Sequence, residues 1–247
     1  MSEPDSSFEQ RLERAKLDAI KELAYGASHE INNPLANISA RAQMLLRDER
    51  DPERRRALEA INQQALRAHE MISDLMLFAR PPRLDVQAVD LALVVEQVVG
   101  EVSGECTRRG IAIASGVEGM LSPMQGDAVQ LAVAVKAVVA NSIEAIGQGG
   151  RIEISLMPLG GANPGEHGSP AGVRIELSDN GPGISADVRA HMFEPFCSGR
   201  EAGRGLGFGL SKAWRIITQH GGRIWAESSG EEGATFVIEL PKDAVGS

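Results

Sequence analysis

Apolar positions recur at steps of three and four along the first third of the chain. Ile20, Leu23, Ala27, Ile31, Leu35, Ile38, Ala42 and Leu45 form one such series. The spacing predicts one long amphipathic helix over about residues 9–48. The segment DERDP, residues 48–52, reads as a turn. A second series follows: Leu58, Ile61, Ala65, Ala68, Ile72, Leu75 and Ala79. Its three-four alternation is that of a bundle seam. Two such helices and a short turn make an antiparallel hairpin. A lone hairpin has little core, so pairing with a second copy into a dimeric four-helix bundle is the simplest solution. The competing arrangement is a monomeric hairpin packed on the rest of the chain. Arg80-Pro81-Pro82-Arg83 stops the helix. The first domain is therefore placed at residues 9–80 and the second at 84–241.

Beyond the prolines the period changes. Asp90 is placed to cap a helix carrying Leu91, Val94, Val95, Val98 and Val99. Ile111–Ala114 reads as a strand. Asp127 is placed to cap a helix reaching about Ile146. Arg151–Met157 and Val173–Ser178 alternate as strands, with a long Gly/Pro loop between them. A helix from about Gly207 to His220 precedes strands Arg223–Glu227 and Ala234–Leu240. The expected fold is α plus α/β: a dimeric helical hairpin followed by an α/β sandwich.

Composition narrows the function classes. Lys+Arg total 25 against Asp+Glu 34, a net charge of −9, which disfavours nucleic-acid binding. Two cysteines, Cys106 and Cys197, exclude a disulfide scaffold and a four-Cys zinc site. They read as reduced packing residues. No uninterrupted apolar run approaches ~18 residues, and the polar MSEPDSSFEQ start is unlike a signal peptide. A soluble, cytoplasmic chain without a membrane span is expected. Met120, Met124 and Met192 read as core filler, and His69, His167 and His191 as solvated.

One histidine stands apart. With Ala27, Ile31, Ile38 and Leu45 as the buried stripe, His29 points roughly 170° from its centre, at about 100° per residue. It lies beside Glu30, with Asn33 one turn on and Pro34 inside the helix. On spacing alone, an ordinary surface histidine accounts for this. Two glycine-rich stretches follow: Asp179-Asn180-Gly181-Pro182-Gly183 after a strand, and Gly203–Gly209 before an apolar helix. Such loops let backbone N–H groups approach phosphate. Ordinary turn formation accounts for either loop alone. Their order, with Arg200 between them, suggests a nucleotide pocket.

Taken together, these segments resemble the ordered boxes of sensor histidine kinases. His29-Glu30-Ile31-Asn32-Asn33-Pro34-Leu35 resembles the phosphoacceptor box. Asn141-Ser142-Ile143-Glu144-Ala145 resembles the Asn box, and Asp179–Ile184 the first Gly box. Phe193-Glu194-Pro195-Phe196 resembles the Phe box, and Gly203–Ser211 the second Gly box. His220-Gly221-Gly222 matches the usual sequel. The boxes occur in family order over roughly residues 12–241.

The resemblance implies ATP-dependent autophosphorylation of His29, then transfer to an aspartate on a response regulator receiver domain. Glu30 would hold the other ring nitrogen and take its proton. Asn33 would orient water for dephosphorylating the regulator. Asn141 would ligate Mg²⁺, and Asp179 would accept from the adenine amino group. Gly181, Gly183, Gly205, Gly207 and Gly209 would shape the pocket and its lid, with Arg200 near phosphate. The family usually carries an upstream sensor module. Here either partner proteins deliver the signal, or the chain is the catalytic portion of a longer one.

Two positions depart from the pattern. Ala137, four before Asn141, stands where the family often has another Asn. Cys197-Ser198-Gly199-Arg200 replaces the usual sequel to the Phe box. A non-signalling ATPase and a non-catalytic docking module on the same fold are the alternative readings.

Overall fold

The computed structural model describes residues 30–79, 82–159, 171–194, 207–227 and 233–243. The chain divides into two compact units, Met1–Pro82 and Arg83–Ser247.

In the first unit, α1 (residues 30–48) is helical through Pro34, and α2 spans Pro52–Ala79. The expected start of α1 near residue 9 lies outside the described residues. Asp51 ends the turn by capping α2: its Oδ1 accepts from the backbone N–H of Glu53 and Arg54 at 2.8 and 3.1 Å. Pro52 at the first helical position suits its fixed φ.

The two helices run antiparallel in a regular register. Asn32 pairs with His69, Ser39 with Asn62, and Leu46 with Arg55. The pairs step seven residues forward on α1 and seven back on α2. Ser39, Ala42 and Ala65 are buried along this seam. Ser39 Oγ donates to Asn62 Oδ1 at 2.7 Å, which satisfies the polar pair inside it.

The expectation of one buried stripe on α1 needs correction. The series contains two heptad lines. Leu35 and Ala42 face α2, whereas Ile31, Ile38 and Leu45 remain exposed within one chain. A series alternating three and four serves two neighbours when each heptad line meets a different one.

The second unit is a five-stranded sheet with helices packed on it. Its elements are β1 (Gln87–Val89), α3 (Leu91–Arg109), β2 (Ile111–Val117), β3 (Met124–Gly126), α4 (Ala128–Ile146), β4 (Gly150–Leu159), β5 (Gly172–Asp179), α5 (Ala186–His191), α6 (Gly209–Gln219), β6 (Arg223–Glu227) and β7 (Ala234–Pro241). The strand order is β2-β4-β5-β7-β6, and β1 pairs separately with β3. β2 runs parallel to β4; the other neighbours are antiparallel. Alternation places Ile152, Ile154, Ile175, Leu177, Phe236 and Ile238 in the core. Leu131, Val135, Val138 and Val139 of α4, with Ile216 and Ile217 of α6, are buried too.

The caps follow the sequence. Asp90 accepts from Ala92 N–H and Asp127 from Gln130 N–H, so α3 and α4 start where expected. Strand β2 runs on to Val117, and α6 opens at Gly209 instead of near Gly207. The short β1, β3 and α5 were not expected. Each is three to six residues long, below the length at which periodicity is legible.

By length and composition alone α4 could cross a membrane. Its buried Leu131, Ala134, Val135, Val138 and Val139 make it the core helix of this unit. Met124 and Met192 are buried as expected, but Met120 is 86% exposed and fills no core. It stands in the irregular segment between β2 and β3. His69 and His191 are exposed; His167 and Cys197 lie outside the described residues. Cys106 is buried, and burial pushes its thiol up, away from the reactive thiolate.

Candidate functional site

The hairpin carries the first group of candidate residues. His29 lies just outside the described residues. Glu30, the first described residue of α1, is exposed. Asn32 and Asn33 are neighbours in sequence but not in environment. Asn32 is half-buried, and its Oδ1 stands 3.0 Å from His69 Nδ1 across the seam. Asn33 is exposed. Consecutive helical residues differ by about 100°, which turns the second amide to solvent while α2 engages the first.

The second group lies at the C-terminal end of β5 and along α4. Asp179 is the last residue of β5 and is buried. Its Oδ2 accepts a 2.6 Å hydrogen bond from Ser142 Oγ of α4. Its Oδ1 accepts from the backbone N–H of Gly181 at 2.9 Å. Next to it, Asn180 Oδ1 accepts from Arg151 N–H at 2.7 Å and ties the loop to β4. A Cβ at position 181 would lie 2.9 Å from Asp179 Oδ1, so glycine lets the loop close on that carboxylate without displacing it. Gly183 has φ +77°, a left-handed conformation that lets the loop turn.

Asn141 is half-buried on α4, directly before Ser142. The structure therefore joins the Asn141 segment to the Asp179 loop through one buried hydrogen bond. Ala137, one turn before Asn141, is half-buried and has no proton-accepting side chain. Gly207 is left-handed at φ +71°, and Gly209 opens α6, which packs against α4. Arg200 and Gly205 lie outside the described residues.

Three residues contribute that motif reading left without a role. Ser142 is one. Gly233 is the second: a Cβ there would collide with the Asp179 carbonyl oxygen, so glycine lets β7 begin against the Asp179 backbone. His220 is the third. It is fully buried, with Nδ1 2.8 Å from the Ile216 carbonyl and Nε2 3.0 Å from the Asp127 N–H. A carbonyl only accepts and an N–H only donates, so the imidazole is neutral with its proton on Nδ1.

His220 thereby ties the end of α6 to the start of α4. Asp127 also accepts from the N–H of Asp85 and of Gln130, at 3.0 and 3.1 Å. Burial pushes the Asp127 carboxyl up, but these donors and the Gln130 side-chain amide hold it below its ordinary value. The motif His220-Gly221-Gly222 was the available signal, yet its partner lies 93 residues away.

Residues 126–244 match the family described as "Histidine kinase-, DNA gyrase B-, and HSP90-like ATPase". Residues 19–83 match the "His Kinase A (phospho-acceptor) domain". Sensor histidine kinase ZraS of Escherichia coli (strain K12) is 32% identical over 231 residues, which cover 92% of this chain and 47% of ZraS. The chain spans about half the length, or less, of the curated relatives it matches. Full-length ShkA in complex with AMPPNP has a similar structure, with a TM-score of 0.75 at 25% identity, covering 92% of this chain and 47% of that one. Histidine kinase ThkA, solved in complex with response regulator protein TrrA, shares the fold at TM-score 0.66 and 23% identity, covering 98% of this chain and 67% of that one.

Proposed function

Because the chain belongs to the family of two-component sensor histidine kinases, we propose that it transfers the γ-phosphoryl group of ATP to His29 and from there to an aspartate on a response regulator receiver domain. The observation that carries the reading is the buried hydrogen bond linking the Asn141 segment to Asp179 beside a glycine loop.

In the first step an imidazole nitrogen of His29 attacks the γ-phosphorus. A P–N bond forms, the bond to the β–γ bridging oxygen breaks, and ADP leaves. Neutral imidazole offers the lone pair this needs near pH 7. Glu30 accepts the proton of the other ring nitrogen. In the second step a receiver carboxylate oxygen attacks the same phosphorus, the P–N bond breaks, and the other ring nitrogen takes its proton back from Glu30 so that neutral imidazole leaves.

Asp179 accepts from the adenine amino group, and the glycine loops admit the phosphates. Mg²⁺ supplies charge neutralisation on those phosphates, and the half-buried Asn141 amide oxygen is a ligand of the kind it takes. Arg200 pairs with phosphate oxygens. Asn33 orients water to dephosphorylate the regulator, and its exposure beside the engaged Asn32 supports that assignment. The chain works as a cytoplasmic homodimer, with its input from a sensor domain or protein.

The ATPase reading is less well supported. Water-directed hydrolysis needs a placed base, worth ~10²–10⁴ in rate, and Ala137 supplies none on the turn before Asn141. The test is incubation with γ-labelled ATP and Mg²⁺, followed by acid and alkali. Label that survives alkali and is lost in acid is phosphohistidine. No protein label, or label that survives acid, overturns the reading.

A further inference from the structure

Asp179 is held by two donors, one on each oxygen. Ser142 is fully buried, and its hydroxyl reaches Oδ2 at 2.6 Å. That is the range of a hydroxyl bonded to an ionised carboxylate. Gly181 N–H takes Oδ1. Rotating the carboxylate about its Cβ–Cγ bond would weaken both bonds, so its plane is fixed. An ionised carboxylate only accepts, and a hydroxyl whose hydrogen is committed has none to offer.

We propose that Ser142 is a positioning residue for base recognition: it locks Asp179 as an acceptor, so the pocket takes a purine offering an amino group at position 6 and rejects one offering a carbonyl there. The inference rests on the assignment of Asp179 as the base contact. It separates two neighbours on α4, Asn141 for the metal-bound phosphates and Ser142 for the base. Without the hydroxyl, Oδ2 is a buried acceptor short of a donor. The carboxylate is then free to turn, and it no longer presents a fixed acceptor to a 6-amino group. A site that leaves a buried polar group unpaired on the wrong base rejects that base strongly.

The experiment measures dissociation constants of the full chain, with Mg²⁺, for ATP, inosine triphosphate and purine riboside triphosphate. Ser142→Ala is expected to weaken ATP by about five- to tenfold, in line with the net worth of one ordinary hydrogen bond. It should weaken inosine triphosphate little or not at all, narrowing the wild-type preference for ATP by a similar factor. Ser142→Cys keeps the volume and a weak donor, and should fall between the two.

A merely structural role weakens all three nucleotides alike and leaves the ratios unchanged. Unchanged ratios in Ser142→Ala therefore overturn the proposal. Asp179→Asn separates the two failures. If it binds ATP like wild type, the Asp179 assignment falls and this inference with it. If it loses ATP while Ser142→Ala keeps the wild-type ratios, only the role of Ser142 falls.

Discussion

Ile38 and Leu45 of α1 are 45% and 56% exposed within one chain, and Ile31 and Ile61 are 40% and 48% exposed. Ile31, Ile38 and Leu45 each precede by one residue a member of the seam: Asn32, Ser39 and Leu46. On α2, Ile61 likewise precedes Asn62. Because the helices run in opposite directions, the same one-residue offset turns both sets to the same side of the hairpin. That side is an apolar stripe suited to a second copy.

Burying a whole Ile or Leu side chain is worth ~1.5–3 kcal/mol, so covering the exposed half of each recovers about 1 kcal/mol. The double change Ile38→Ala and Leu45→Ala removes four such contributions from a two-fold dimer. The loss is ~3–4 kcal/mol after crediting the retained alanine, or on the order of 10²–10³ in dimer dissociation constant. Since these side chains project from the hairpin, its helicity should fall little. Sedimentation equilibrium over a concentration series, with far-UV circular dichroism on the same samples, reads both quantities. A wild-type chain that is monomeric at micromolar concentration refutes the stripe as an interface. So does a double variant that dimerises like wild type.

Two further outcomes are expected. The Asp127 carboxyl lies below its ordinary value, so its stabilising effect is present above about pH 3.9 and is lost as the pH falls through the lower folded-state value. Asp127→Ala should cost about 1–2 kcal/mol at pH 7 through the lost cap; urea unfolding should show the gap from wild type closing below that range, and a gap constant with pH would contradict the assignment. Asn33→Ala should leave labelling of the chain by ATP intact and slow the loss of phosphate from the regulator aspartate; equal loss of both activities would mark Asn33 as structural.

The longer elements of the second unit can be read from the chain because each carries its own local signal. Asp90 and Asp127 announce helix starts through caps made within the next few residues. Alternation marks β4 and β5, whose alternate residues are buried. What escaped reading is non-local. Ser142 lies inside a quoted motif, but its partner Asp179 is 37 residues away and is met only when α4 packs under the sheet. Gly233 precedes a legible strand, and nothing nearby shows that its Cβ would strike Asp179. The hairpin stripe was read as one line because two heptad lines interleave. Which of them meets α2 becomes visible only from the pairs Asn32–His69, Ser39–Asn62 and Leu46–Arg55.

Labelling of a His29→Gln chain with γ-labelled ATP tests whether His29 is the phosphoryl acceptor. The variant should bind ATP with wild-type affinity, because the proposed nucleotide contacts all belong to the second unit, and it should take up no alkali-stable, acid-labile phosphate. A His29→Gln chain that labels as fully as wild type contradicts the account.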